Sequence, residues 1–158
     1  MLLAATRLSL GMGWNKVYKD LSSDPRYAKM IGKEYKTKLE FLLFKFADNK
    51  KTIILKQVGS SSEVPPAKDM KKAFPFKYYG NTMLGLLPAG SVFKIVRVSL
   101  EGAPNNYGVI YRVVITKSSD PKFIGWEIEP TDIADYVLPP DVPQFQIKYV
   151  EEITQTLH

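Results

Sequence analysis

Residues 86–98 read LLPAGSVFKIVRV, a Pro-Ala-Gly turn that leads directly into alternating apolar and basic residues. A loop that cradles a phosphate needs several glycines, followed by a helix whose N–H groups face the anion. This stretch has a single glycine, and the β-branched residues after it favour a strand. It therefore predicts the corner of a β-sheet, in which Pro88 opens the turn and Gly90 supplies a positive φ.

A second strand follows this one at hairpin distance. Residues 91–100 and 107–116 are both rich in valine and isoleucine, and the polar loop EGAPNN joins them. The two-residue repeat predicts one buried face made of four apolar side chains, Phe93, Ile95, Val113 and Ile115. It places Arg97 at the solvent end of that face and Arg112 on the opposite face.

The N-terminal half predicts one short helix and a further hairpin. Residues 22–25 (SSDP) are a helix start, because Ser or Asp caps free N–H groups and proline suits the first turn. The helical segment 26–31 then ends at Gly32. Alternation predicts a strand over 35–43, with residues 52–55 returning as its hairpin partner.

The remaining segments predict more strands and one long loop. Residues 59–73 (GSSSEVPPAKDMKKA) are too long for a hairpin turn, and such loops are either functional or mobile. A strand carrying Trp126 is expected over 123–129, and one or two closing strands over 137–150. With eleven prolines and ten glycines, the pattern predicts a single all-β domain over 15–158 with one short helix.

Composition narrows the possible chemistry. The chain has 158 residues, no cysteine, and one histidine, His158, at its end. Disulfides, thiolate nucleophiles, zinc-thiolate sites and histidine-based catalysis are therefore not expected, and no cofactor is predicted. Residues 1–79 hold 16 lysines and arginines against 7 acidic residues, whereas residues 80–158 hold 6 against 9. The basic half points to an anionic partner or to a solvated face.

The first fourteen residues have two interpretations. MLLAATRLSLGMGW is apolar and too short to span a bilayer as a helix, so it resembles an export-signal remnant or else a first strand. The first interpretation predicts a periplasmic or cell-envelope protein and the second a cytoplasmic one. Trp14 stands where a bacterial lipoprotein signal would place its lipidated cysteine, which argues against a thioether lipid anchor.

Two stretches carry a resemblance to a known group of proteins. The element LPAGSVFKIVRV, followed by YRVVI and a strand with Trp126, resembles the SH3-like barrels of bacterial envelope proteins. The stretch DPRYAKMIGKEY, at the start of the region concerned (residues 24–130), is similar to that of small Gram-negative lipoproteins. The resemblance implies a small SH3-like β-barrel with an elaborated N-terminal hairpin, in proteins that are mostly non-catalytic.

Three groups of residues are candidate binding sites. Phe74, Phe76, Tyr78 and Tyr79, with Lys77 between them, could stack on a glycan, a peptide or a base, or tuck the long loop onto the barrel. Arg97 and Arg112 lie on paired strands and could clamp an anion, or be ordinary strand residues. Trp126 could line a peptide groove, although a place in the core suits it better.

Three functions follow from these candidates. The first is a non-catalytic exported module that binds a protein or peptidoglycan-type partner, or an anionic membrane surface, through the 59–82 loop. The second is a basic nucleic-acid-binding domain of OB or SH3-like form, whose binding weakens steeply with salt. The third is a glycan hydrolase that uses Glu127 and Glu129, which share one face of a strand, although such carboxylates normally flank the substrate.

Overall fold

A computed structural model describes residues 16–59, 62, 64–70, 73–103 and 106–154. Residues 1–14, and with them the two interpretations of the N-terminus, lie outside the described residues. The elements in chain order are β1 (Lys16–Asp20), α1 (Pro25–Ala28), β2 (Glu34–Thr37), β3 (Phe41–Phe46), β4 (Asn49–Gln57), β5 (Phe76–Tyr78), β6 (Asn81–Leu87), β7 (Val92–Ala103), β8 (Asn106–Lys117), β9 (Glu127–Glu129) and β10 (Val150–Ile153). Single 3-10 turns lie at Ala67–Asp69 and Pro121–Phe123.

The strands form one curled sheet, an open half-barrel, which confirms the β-rich class. The strand order is β10-β2-β7-β8-β9-β4-β3-β6-β5, and β1 pairs with β7 off this path. The long strand β7 holds two neighbours on one edge, because β2 pairs with its first residues and β1 with its last. The pairing of β4 with β9 is parallel, and the other strand pairs are antiparallel.

The predicted central hairpin is confirmed in strands, turn and buried face. Cα partners in β7 and β8 include Phe93 with Ile115 and Ile95 with Val113, and all four side chains are at most 1% exposed. The turn before β7 has Gly90 at a φ of 85° and a Ser91 N–H that donates to the Pro88 carbonyl.

The predicted face of Arg112 is confirmed, but that of Arg97 was wrong, because β7 carries a bulge. The register shifts between Ile95 and Arg97, so that Val96 is the extra residue. Beyond it, Arg97 is the Cα partner of Arg112, and residues directly opposite one another point to the same face. Both arginines therefore lie on the outer face, away from the main core.

The expected strand 35–43 is two strands. β2 ends at Thr37, whose carbonyl and hydroxyl accept hydrogen bonds from the turn at Gly90 and Ser91, and β3 starts at Phe41. The two strands have different neighbours, since β2 pairs with β7 and β10 while β3 pairs with β4 and β6. Residues 26–31 give only the single helical turn α1, which Asp24 caps as expected.

The C-terminal quarter contains less strand than the alternation predicts. Residues 123–129 hold the end of a 3-10 turn and the short strand β9, and residues 137–149 run without a strand before β10. Prolines at 139, 140 and 143 remove backbone donors from a potential ladder. The segment is held instead by tyrosine hydroxyls, because Tyr27 donates to the Asp141 carbonyl and Tyr111 to the Pro143 carbonyl.

Two hydrophobic clusters lie on opposite faces of the sheet. The main cluster takes Phe41, Leu43 and Leu55 from β3 and β4, and is closed by α1 and by the segment before β10. The second cluster takes the alternate residues of the same strands, Leu42, Phe44 and Ile54, with Met83 of β6 and Val64. Part of the predicted long loop has a packing role, because the residues that cover this second cluster include Val58, Val64, Met70, Phe74, Phe76 and Tyr78.

Candidate functional site

The densest aromatic stretch of the sequence forms one side of the β5–β6 hairpin. Phe74 and Phe76 are half-buried against the second cluster, and their ring centroids lie 5.2 Å apart. These two rings tuck the preceding loop onto the sheet, as one of the alternative interpretations predicts. They leave the tip of the hairpin as the part of the stretch that faces solvent.

The tip of this hairpin is Tyr79-Gly80. Tyr79 has a φ of 47° and Gly80 a φ of 81°, and Tyr78 is the Cα partner of Asn81, which makes a two-residue turn of type I′. Tyr79 is 84% exposed, and its ring meets that of Tyr78 edge-on, with centroids 4.7 Å apart. An aromatic pair therefore stands at the end of a rigid hairpin. We name the residues Lys77, Tyr78 and Tyr79 the aromatic tip.

Two lysines, Lys77 of the aromatic tip and Lys45 of β3, lie on one face of the sheet. Lys45 of β3 is opposite Thr82 of β6, and Thr82 is opposite Lys77 of β5, so the three side chains form a row across three strands. The Lys77 ammonium donates to the Thr82 hydroxyl at 2.6 Å. Neither lysine forms an ion pair with a described residue. The row therefore gives the hairpin a positive face.

Arg112 forms buried ion pairs with two glutamates. Its two terminal nitrogens donate to Glu129 at 2.9 Å and to Glu101 at 2.6 Å, and Ser99 donates to Glu101 at 2.8 Å. The side chains of Arg112, Glu101 and Glu129 are 9%, 2% and 4% exposed. Burial acts to lower the pKa of Arg112, but Glu129 and Glu101 outweigh it and raise that pKa. With both nitrogens in use, Arg112 does not form the anion clamp that its strand position suggested.

Arg97 lies beside these ion pairs at the mouth of a cleft. It donates to Glu127 at 2.6 Å, and both side chains are 45% exposed. The cleft, of about 340 Å³, is lined by Lys51, Thr52, Ile53, Arg97, Arg112, Glu127 and Ile128. Glu127 and Glu129 thus each accept a hydrogen bond from an arginine, and they lie side by side on one strand rather than on the two sides of a substrate, as glycosidase carboxylates do.

Trp126 lies against the main cluster rather than at the aromatic tip. Its ring meets that of Phe123 edge-on at 5.0 Å, and its carbonyl accepts a hydrogen bond from the Ile115 N–H. The structure therefore divides the candidate residues into three places: the aromatic tip, the outer face with the two arginines, and the corner that holds Trp126.

One exposed region was not predicted from the sequence. Ile147 is 82% exposed and lines a second hollow, of about 310 Å³, together with Phe145 and three residues of β10. In the sequence, Ile147 stands between a glutamine and a lysine, and the same pattern is typical of a half-buried position in a strand. The sequence therefore does not indicate that this side chain is exposed. The exposure depends on the irregular path of residues 137–149.

Further features of the described residues bear on function. Within them, no three histidine, aspartate or glutamate side chains are grouped so as to hold a metal ion. No helix in the described ranges is long and apolar enough to cross a membrane.

No family model, curated protein or solved structure matches this chain.

Proposed function

We propose that this chain is a non-catalytic binding module that contacts an acidic surface of a protein partner through its aromatic tip. The observation that carries the proposal is the conformation and exposure of Tyr79. A non-glycine residue in the left-handed region costs about 1–2 kcal/mol, and asparagine or glycine would fill this turn at less cost. The Tyr79 ring is 84% exposed and its ring contact is with Tyr78 alone, so packing within the described residues does little to offset that cost.

The chemistry of the tip suits protein recognition. Tyrosine is enriched among the residues that dominate binding energy, because its ring buries a large area while its hydroxyl forms a hydrogen bond. A type I′ turn presents Tyr78 and Tyr79 on a preformed scaffold, so little conformational entropy is lost on binding. Lys45 and Lys77 add a positive face that has no acidic partner among the described residues, which favours an acidic patch on the protein bound.

Two broader expectations belong to this proposal. The central hairpin and its Pro-Ala-Gly corner support a relation to SH3-like barrels, within the curled sheet described above. The apolar composition of residues 1–14 supports export to the cell envelope. Cell fractionation of the chain with a C-terminal tag tests the second expectation, and recovery only in the cytoplasm contradicts it.

The binding proposal is tested with Tyr79→Asn. Asparagine tolerates a positive φ, so this variant keeps the turn and removes the ring. Tagged wild type and variant are used to recover partners from envelope extracts, and the affinity of the purified partner is then measured by calorimetry. Because a central tyrosine contributes strongly to binding energy, we expect the affinity to fall roughly tenfold or more.

The matched control is Tyr107→Asn, which removes another exposed tyrosine, on β8. It should leave partner recovery unchanged, whereas Lys45→Gln combined with Lys77→Gln should weaken binding. Equal recovery by wild type and Tyr79→Asn overturns the proposed surface. Sedimentation with peptidoglycan, or retention of single-stranded DNA at low salt, in place of a protein partner overturns the partner class.

A further inference from the structure

Strand β10 is one outer edge of the sheet. It pairs antiparallel with β2, and no other strand of the described chain lies beyond it. An edge strand carries N–H and carbonyl groups directed away from its neighbour, and these can pair with an added strand. The side of β10 that faces away from β2 is therefore a place where another chain can extend the sheet.

The register shows which backbone groups point outward. Lys38 N–H donates to the Tyr149 carbonyl at 2.8 Å, and Val150 is the Cα partner of Thr37. Hydrogen-bonded and non-bonded pairs alternate in an antiparallel ladder, so Glu151 bonds to β2 and Glu152 does not. The N–H and carbonyl of Glu152 therefore point to the outer edge, where a new strand would pair.

The other end of the sheet is protected against such pairing. In β5, Tyr78 and Phe76 bond inward to β6 by the same alternation, which directs the backbone of Lys77 outward. Pro75 directly precedes β5, and a proline has no N–H to donate. Proline and charged side chains, lysine above all, are among the features that natural proteins place on edges to prevent strand addition. β10 has neither proline nor lysine, and its two charges are glutamates, which repel acidic strands but not basic ones.

A hollow lies beside the outer edge of β10. It has a volume of about 310 Å³ and is lined by Tyr35, Lys38, Gln144, Phe145, Ile147, Val150, Glu151 and Glu152. Ile147 is 82% exposed at this hollow. An apolar side chain of an added strand would therefore find both backbone partners and apolar contact at the same place.

The charges on β10 select the partner. Glu151 and Glu152 are 55% and 49% exposed, and their ion pairs with Lys36 and Lys33, at 3.7 and 3.3 Å, are partly solvated and hence weak. Lys36 is directly opposite Glu151 on β2, but Lys33 lies outside β2, so a residue directly opposite Glu152 on an added strand is a closer neighbour of Glu152 than Lys33 is. In a symmetric antiparallel pair, a second copy of β10 would place glutamate opposite glutamate, which is destabilising. A strand with lysine or arginine at those positions is complementary.

We infer that the outer edge of β10, with the Ile147 hollow beside it, binds an extended basic segment of another protein by strand addition. Basic side chains of that segment lie opposite Glu151 and Glu152, and flanking apolar side chains contact Val150 and Ile147. This surface is separate from the aromatic tip and does not depend on its function.

The test uses a blocked hexapeptide, threonine-valine-lysine-lysine-valine-threonine, which presents the same pattern in either strand direction. Binding to the whole chain is measured by fluorescence anisotropy, and hydrogen exchange of the Glu152 amide is followed by NMR. We expect saturable binding that slows exchange at Glu152. Glu152→Lys should weaken binding about tenfold through charge. Glu152→Pro should weaken it similarly, because it removes the outward N–H but no bond to β2.

The control is Asp48→Lys, which makes the same charge change at the exposed β3–β4 turn and should leave the affinity unchanged. A peptide with glutamates in place of the two lysines should not bind. Equal binding by wild type and both Glu152 variants overturns the inference, as does equal binding of the glutamate peptide. Sedimentation velocity tests whether the chain pairs with itself. A dimer that Glu152→Pro abolishes would show that the strand added to β10 comes from a second copy of this chain, and it would overturn the basic partner.

Discussion

At the scale of the residue, Phe93 and Lys94 are neighbours in β7 that point to opposite faces of the sheet. Phe93 is fully buried in the main cluster, whereas Lys94 is half-buried on the outer face. Phe93→Ala should lower the free energy of unfolding by about 3–5 kcal/mol through the cavity it leaves. Lys94→Ala should change it by less than about 0.5 kcal/mol.

Chemical denaturation of the two variants measures both values. Comparable losses would mean that the register of β7 is displaced by one residue, since such a displacement exchanges the two faces of a strand.

Asp24 gives a residue-scale prediction about pH. Its carboxylate accepts hydrogen bonds from the Arg26 side chain and backbone N–H, which lower its pKa from 3.8 to about 2. Because the folded-state pKa is below the unfolded value, the stabilisation is present above pH 3.8 and is lost as the pH falls towards 2. The stability difference between wild type and Asp24→Asn, which keeps the cap, should therefore shrink over that window.

Urea denaturation from pH 5 to pH 2 follows this difference, with Asp48→Asn as a turn control. A difference that stays constant across the window would show that the Arg26 contact does not stabilise the folded chain.

At the scale of the element, Arg112 joins three strands by itself. It extends from β8 to Glu101 on β7 and to Glu129 on β9, and all three side chains are nearly inaccessible. Arg112→Met should cost about 3–5 kcal/mol, because it leaves buried carboxylates without their cation. Arg97→Met removes the solvated pair with Glu127 and should cost no more than about 1 kcal/mol.

Thermal and chemical denaturation compare the two methionine variants. Equal costs would contradict the difference in burial between the two ion pairs, and a stable Arg112→Met would show that β9 is held by its backbone pairing alone.

At the scale of the whole molecule, the two clusters share strands. Leu43 of β3 packs in the main cluster and Leu42 in the second, so loss of one cluster exposes the back of the other. We therefore expect one cooperative unfolding transition. Met83→Ala, in the second cluster, should cost about 2–5 kcal/mol and shift far-UV circular dichroism and aromatic fluorescence together.

Separate midpoints for the two signals in Met83→Ala would show that the second cluster unfolds independently of the main cluster. Leu43→Ala is the matched change on the opposite face of the sheet, and it should displace both signals equally.

Sequence patterns predicted those parts of the fold whose causes are local. The β7–β8 hairpin, its buried face and the Gly90 turn follow from side-chain alternation and from the φ that each turn position requires. The Asp24 cap follows from the same kind of reasoning. The aromatic stretch was recognised as a candidate site, since composition alone marks it.

Tertiary structure decided the rest, because the decisive contacts are between residues distant in the sequence. The bulge at Val96 moves Arg97 to the outer face, and the break between β2 and β3 arises where the strand neighbours change. In the stretch from Phe74 to Tyr79, the residues that meet the second cluster are packed, and Tyr79 is exposed because it lies in the turn beyond the last residue pair of the hairpin. The sequence by itself therefore determined the strands and turns, and packing across the sheet determined which side chains are free to bind.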